Sequence, residues 1–163
     1  MNQSKMFLVL FSLFTMFVTA SLADHSHEYT KATEAYNAGD YQTALHLWGE
    51  EAEKGSQGAQ EMLGAIYASG KGVKQDYVEA AKWYLMSAKK GSTSSQYSLG
   101  LMYYEGWGVD KSLEHAYAWW LVSSAGGNEG AKKKLSKVLN EMTSDQIEKT
   151  KQLAFEILQK LAE

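Results

Sequence analysis

The chain has 163 residues, 45% of them hydrophobic, and a formal charge of −3. It contains no cysteine, proline or arginine, so all 16 basic residues are lysine. These absences exclude a disulfide framework, a thiolate nucleophile and a thiolate metal site. With the acidic balance they also argue against nucleic-acid binding, which relies on clustered cations and the planar arginine fork.

Residues 1–23 have the pattern of a secretory signal peptide. Lys5 supplies the positive start, Met6 to Val18 is apolar except for Ser12 and Thr15, and Ser21 and Ala23 stand at the −3 and −1 positions of a cleavage site. The apolar run is short of the ~20 residues that a bilayer span needs, so no transmembrane span is expected after cleavage. Removal would take one lysine, no acid and four of the five phenylalanines (Phe7, Phe11, Phe14 and Phe17). The expected destination is the periplasm or the medium, and residues 24–163 are expected to form one helical repeat domain.

Two segments of that domain superimpose at an offset of 36 residues. One runs Ala59, Leu63-Gly64, Tyr67, Gly70-Lys-Gly-Val73, Asp76, Ala80, Trp83-Tyr84, Ala88 and Gly91. The other runs Ser95, Leu99-Gly100, Tyr103, Gly106-Trp-Gly-Val109, Ser112, Ala116, Trp119-Trp120, Ser124 and Gly127. A period of this length signals a solenoid. One step back recovers half a unit in Asp40-Tyr41, Ala44, Leu47-Trp48, Ala52 and Gly55, and one step forward recovers Ala131 and Leu135. The organisation expected is a partial unit at about 27–55, full units at 59–91 and 95–127, and a degenerate unit with a capping helix over 128–162.

Each unit reads as a helical hairpin. A first helix begins at residues 27–38, with Tyr29, Ala32, Ala35 and Tyr36 on one side, and turns sharply at Gly39. In the full units Ala59, Leu63 and Tyr67 recur at spacing four and share a face of helix A. The Gly-x-Gly-Val turn breaks that helix. Asp76 and Ser112 suit the N-caps of helix B, which is expected to bury Ala80, Trp83, Tyr84 and Ala88 and to stop at a glycine in the C′ position (Gly55, Gly91, Gly127). Gly64, Gly100 and Ala80 are small enough for close helix approach. Thr143 and Gln146 form a capping-box pattern for a last helix over 145–162, with Ile147, Ala154, Ile157, Leu158 and Leu161 as its apolar stripe.

The order Ala-x3-Leu-Gly-x2-Tyr-x2-Gly-x-Gly-Val, then an N-cap, Ala and an aromatic pair, resembles the Sel-one-like repeat, a relative of the tetratricopeptide repeat. The resemblance covers most of residues 30–140. It implies an all-α superhelical solenoid that acts as a protein–protein interaction scaffold, with no shared catalytic residues. The serines at 95, 112 and 124 and the Trp119-Trp120 pair depart from the pattern without disturbing the fold it implies.

No motif in the chain completes a catalytic site. The Gly-x-Gly turns lack the third glycine, the preceding strand and the Lys-Ser/Thr that phosphate loops need. Ser87-Ala-Lys-Lys90 matches a β-lactamase element but lacks its partner motifs. His27-Glu28 has Lys31 where a zinc-protease motif needs a second histidine. Asp24-His25-Ser-His27 reads as a solvated terminus, and His46 and His115 complete nothing. No cofactor and no metal are expected, and the chain is expected not to be an enzyme. The alternatives are an envelope hydrolase, β-lactamase-like or acting on the cell wall, and a purely structural envelope protein.

Two features exceed what the repeat requires. Trp107 occupies the turn position of Lys71, either as a partner anchor or folded onto a neighbouring helix. Tyr97, Leu101 and Tyr104 form a stripe at i, i+4 and i+7, on a different flank from the core positions Leu99 and Tyr103. With Gln60, Glu61 and Trp107 they are the candidate groove for a peptide or partner protein; the competing expectation is packing against the following helix. Exposure of Tyr97 and Tyr104 separates the two. Lys132, Lys133, Lys134 and Lys137 read as a solvated face, or as a salt-sensitive docking patch for anionic polymer or lipid headgroups.

Overall fold

Capping residues recur at the 36-residue offset and cut the chain into its helices. The computed structural model describes residues 28–162. The signal-peptide pattern, His25 and His27 lie outside the described residues. Helix α1 covers residues 28–37. It is followed by α2 (Tyr41–Glu53), α3 (Gln57–Ser69), α4 (Tyr77–Lys89), α5 (Thr93–Glu105), α6 (Leu113–Ala125), α7 (Glu129–Leu139) and α8 (Ser144–Ala162). The described residues contain no strand. Asp40, Asp76 and Ser112 cap α2, α4 and α6, each accepting a backbone N–H from the first turn. Ser56, Ser92 and Asn128 do the same for α3, α5 and α7. Gly55, Gly91 and Gly127 have φ of 95°, 91° and 92°, the left-handed backbone that ends these helices and that only glycine adopts at little cost.

Helices α2 to α7 pack in sequence, each against its neighbours in the chain, and α8 returns to pack on α6, so the core is a row of adjoining clusters. Ala44, Trp48 and Leu63 anchor the first, Tyr84, Leu99 and Trp119 the second, and Trp120, Ala131 and Val138 the third. Within the two full hairpins, α3–α4 and α5–α6, a glycine of the first helix faces an aromatic ring of the second. A Cβ at Gly64 would come within 2.7 Å of the Tyr84 ring, and one at Gly100 would overlap the Trp120 indole. Polar side chains tie the same joints. Ser87 Oγ donates to the Gln57 carbonyl at 3.0 Å and Ser123 Oγ to the Thr93 carbonyl at 2.7 Å. Gln60 and Gln96 donate to the carbonyls of Ala52 and Ala88, helix-end acceptors that also take the backbone N–H groups of Gly55 and Gly91.

Two expectations need correction. Trp83 is only half-buried; it leans back onto the first cluster and leaves the inner position to Tyr84. In α8 the buried stripe passes through Thr150 and Ala154, while Leu158 is 43% exposed and Phe155 55% exposed. Thr150 tolerates burial because its hydroxyl donates to the Gln146 carbonyl at 2.7 Å, the local bond open to threonine in a helix. The capping box forms as expected: the Thr143 N–H donates to Gln146 Oε1 and the Gln146 N–H to Thr143 Oγ1. It starts α8 beside α6, where Gln146 Nε2 donates to Glu114 Oε1 at 3.0 Å.

Candidate functional site

The turns between paired helices reach backwards along the solenoid. After α3, Gly72 lies so close to Tyr41 that a Cβ there would strike it; after α5, Gly108 lies likewise on the Tyr77 backbone. The residue before each of these glycines is thereby held over an aromatic ring of the preceding unit. Lys71 donates to the Tyr36 hydroxyl at 3.0 Å and stands 6.0 Å from the Tyr41 ring centroid. Trp107 stacks on Tyr77, with ring centroids 5.3 Å apart and planes 16° from parallel. Its backbone N–H donates to the Met102 carbonyl at 2.9 Å.

Although Trp107 rests on another ring, it remains 43% exposed. It forms one wall of a cavity of about 140 Å³, which is also lined by Ala68, Tyr77, Tyr84, Ser98, Leu101 and Met102. Small-molecule sites usually run to ~300–1,000 Å³, so this one suits a single apolar side chain. Its lining holds no carboxylate or imidazole. Burial, partly countered by a hydrogen bond from Ser98, pushes the Tyr84 phenol above its ordinary pKa and keeps it protonated. The arrangement can bind by burial and has no acid–base pair. A wider depression of about 570 Å³ on the turn side of Tyr77 includes Asp76, whose carboxylate is committed to the N–H groups of Val78 and Glu79.

The structure brings together only part of the sequence-derived set. Leu101 and Trp107 share the cavity. Tyr97 and Tyr104 are half-buried against the third cluster: Tyr97 lies beside Gly130 of α7, and the Tyr104 ring is 5.6 Å from Trp120. Glu61 is half-buried and accepts from Ser92 Oγ at 2.6 Å. Gln60 is 1% exposed and spends its amide on α2, so it presents nothing to a partner. Tyr77, Tyr84 and Met102 were absent from the sequence-derived set. The 36-residue offset that pairs Trp107 with Lys71 also pairs Tyr77 with Tyr41, and following it through would have found the stack.

The other chemical candidates are engaged structurally. Ser87 is buried on the Gln57 carbonyl, and Lys90 donates to the Gly55 carbonyl at 2.6 Å. His46 stands exposed, 3.7 Å from Glu50. His115 stacks on Tyr103 and meets Ser112 Oγ at 3.0 Å. Among the described residues no group of three His, Asp or Glu is placed to hold a metal, and no helix is long and apolar enough to cross a membrane.

The Sel1 repeat family model matches residues 58–92 and 93–128. No curated protein sequence matches the chain. Among solved structures, a protective antigen of uropathogenic Escherichia coli with an SLR fold superimposes with a TM-score of 0.81 and 26% identity over 88% of this chain. The match spans only 32% of that protein's length. A Sel1 repeat protein from Oxalobacter formigenes gives 0.65 and 32% identity, covering 77% of this chain and 98% of that one. Helicobacter pylori cysteine rich protein B, at 22% identity and 0.57 over 69% of this chain and 95% of its own, shares the fold. The matched repeats end at the caps Ser92 and Asn128, and the chain belongs to the Sel1 repeat proteins.

Proposed function

We propose that the chain is an exported, non-catalytic scaffold that holds a peptide or partner protein, with residues 24–163 as the binding unit. Trp107 and Leu101 are its anchors, and Tyr97, Tyr104 and Glu61 lie along its flank. The observation that carries this reading is Trp107: an exposed tryptophan in a turn whose equivalent residue is lysine, walling an apolar cavity sized for one side chain. Aromatic residues seated in such pockets dominate binding energy at protein interfaces. Sel1 repeat proteins are in general interaction scaffolds, which agrees with it. The leader pattern of residues 1–23 and the likeness to a protective antigen support export.

Affinity capture with the wild-type protein and with Trp107→Ala tests the proposal. One specific partner should be retained by the wild type and lost by a variant whose circular dichroism is unchanged. Equal capture by both proteins removes Trp107 from the site. Turnover of a cell-wall or β-lactam substrate would move the chain to the enzymes.

A further inference from the structure

Tyr104 gathers charge from three parts of the chain. The ammonium groups of Lys111, in the turn after Trp107, and Lys137, on α7, stand 5.7 and 5.4 Å from its ring centroid. Glu141, from the connection to α8, accepts from its hydroxyl at 2.9 and 3.1 Å. Next to it, Lys134 stands 5.9 Å from the centroid of Trp120. Lys31, Lys54, Lys82 and Lys151 each pair with a glutamate three residues before them. Among the described residues, Lys111, Lys134 and Lys137 form no such ion pair within 4.0 Å. Their ammonium groups lie over ring faces, with the Glu141 carboxylate bound to the same Tyr104.

We propose that this face receives an acidic peptide segment of a partner protein, its carboxylates reaching Lys111, Lys134 and Lys137. Glu141 is the internal stand-in: it shows that the Tyr104 hydroxyl takes a carboxylate, and the incoming segment displaces it. The inference rests on the interaction-scaffold reading and adds the charge of the partner. Leu101 packs on the cluster that holds Trp120, beside Tyr104, and also lines the Trp107 cavity, so an apolar residue next to the acidic ones completes the match. A short peptide suits the site better than an anionic bilayer. The chain as a whole is negative, so only a local ligand meets net positive charge. Among the described residues, the exposed large apolar side chains Val78, Leu85, Met86, Phe155 and Leu158 lie on α4 and α8, and Trp107 alone borders this face, whereas a bilayer needs an apolar stripe and cationic groups together.

The test measures fluorescence anisotropy with a labelled decapeptide of glutamates around one leucine, against the same peptide with glutamines. The acidic peptide should bind, and more weakly as salt rises. The double variant Lys111→Gln/Lys137→Gln should weaken it about tenfold, while Glu141→Gln should tighten it about threefold, on the scale of exposed charge pairs. Because the two variants act in opposite directions, loss of folding cannot imitate the result. Affinity unmoved by the lysine changes overturns the inference, as does equal binding of the glutamine peptide. If a captured partner is lost with Trp107→Ala but not with the lysine changes, the scaffold reading stands and this inference alone falls. Lysine-dependent binding to phosphatidylglycerol vesicles without peptide binding assigns the face to membrane and also overturns it.

Discussion

Trp120 fills the space that Gly100 leaves open, and from there its indole Nε1 donates to the Tyr97 carbonyl at 3.1 Å. Neither half of that relationship tolerates growth on the glycine. Gly100→Ala puts a methyl group into the pyrrole edge of a fully buried ring, which must move and give up its hydrogen bond. Overpacking of this kind costs about 1–3 kcal/mol. Urea unfolding should place the Gly100→Ala variant in that range, with Gly64→Ala below it because its overlap with Tyr84 is smaller.

Trp107 and Gly108 are adjacent, yet their substitutions should separate binding from folding. Trp107→Ala removes a half-exposed ring and should lower stability by less than about 1 kcal/mol. Gly108→Ala should cost more, about 2–3 kcal/mol, because it places a Cβ against the Tyr77 carbonyl at φ +69°. Thermal melts of the two variants check the ordering.

Gln60→Ala and Gln96→Ala each leave a carbonyl at a helix end without its side-chain donor. Each should destabilise the protein by about 1–2 kcal/mol. Partner capture should be unchanged at temperatures where the variants remain folded. A Gln60→Ala variant that keeps its stability and loses its partner would return that residue to the binding face.

The joint between α6 and α8 should open in acid. Its own backbone N–H, and next the Gln146 amide, hold the Glu114 carboxyl below the usual glutamate range. A depressed carboxylate stabilises the folded state fully above the unfolded glutamate pKa of about 4.3, and that contribution is lost as pH falls through the lower folded value. Hydrogen exchange in α8 should therefore accelerate over that window. In Glu114→Gln the pH dependence should be smaller.

The fold was legible because each unit states it again. Caps, glycine stops and aromatic pairs recur at one offset, and local chemistry decides each of them. The binding face was harder to read because its residues come from different units. Gln60 looked like a groove residue from its flank on the helix, yet Gln96 repeats it one period on, and identity between units marked it as part of the joint. Tyr97 and Tyr104 are absent from the preceding unit and so stood out, but the periodicity of one helix says nothing of how closely α7 will approach. In α8, which no repeat restates, the apolar pattern alone misplaced Leu158.

The two Gly-x-Gly turns each cover a ring of the unit before them. Trp107 is made thirty residues later than Tyr77. During synthesis Tyr77 therefore leaves the ribosome bare and stays so until the next hairpin has emerged. Completion travels only from the N-terminal to the C-terminal side. A chain cut short after α4 keeps Tyr77 but loses its cover, whereas loss of α1 and α2 removes no residue of the Trp107 cavity. After α6, where the described residues hold no further Gly-x-Gly turn, α8 packs back on α6.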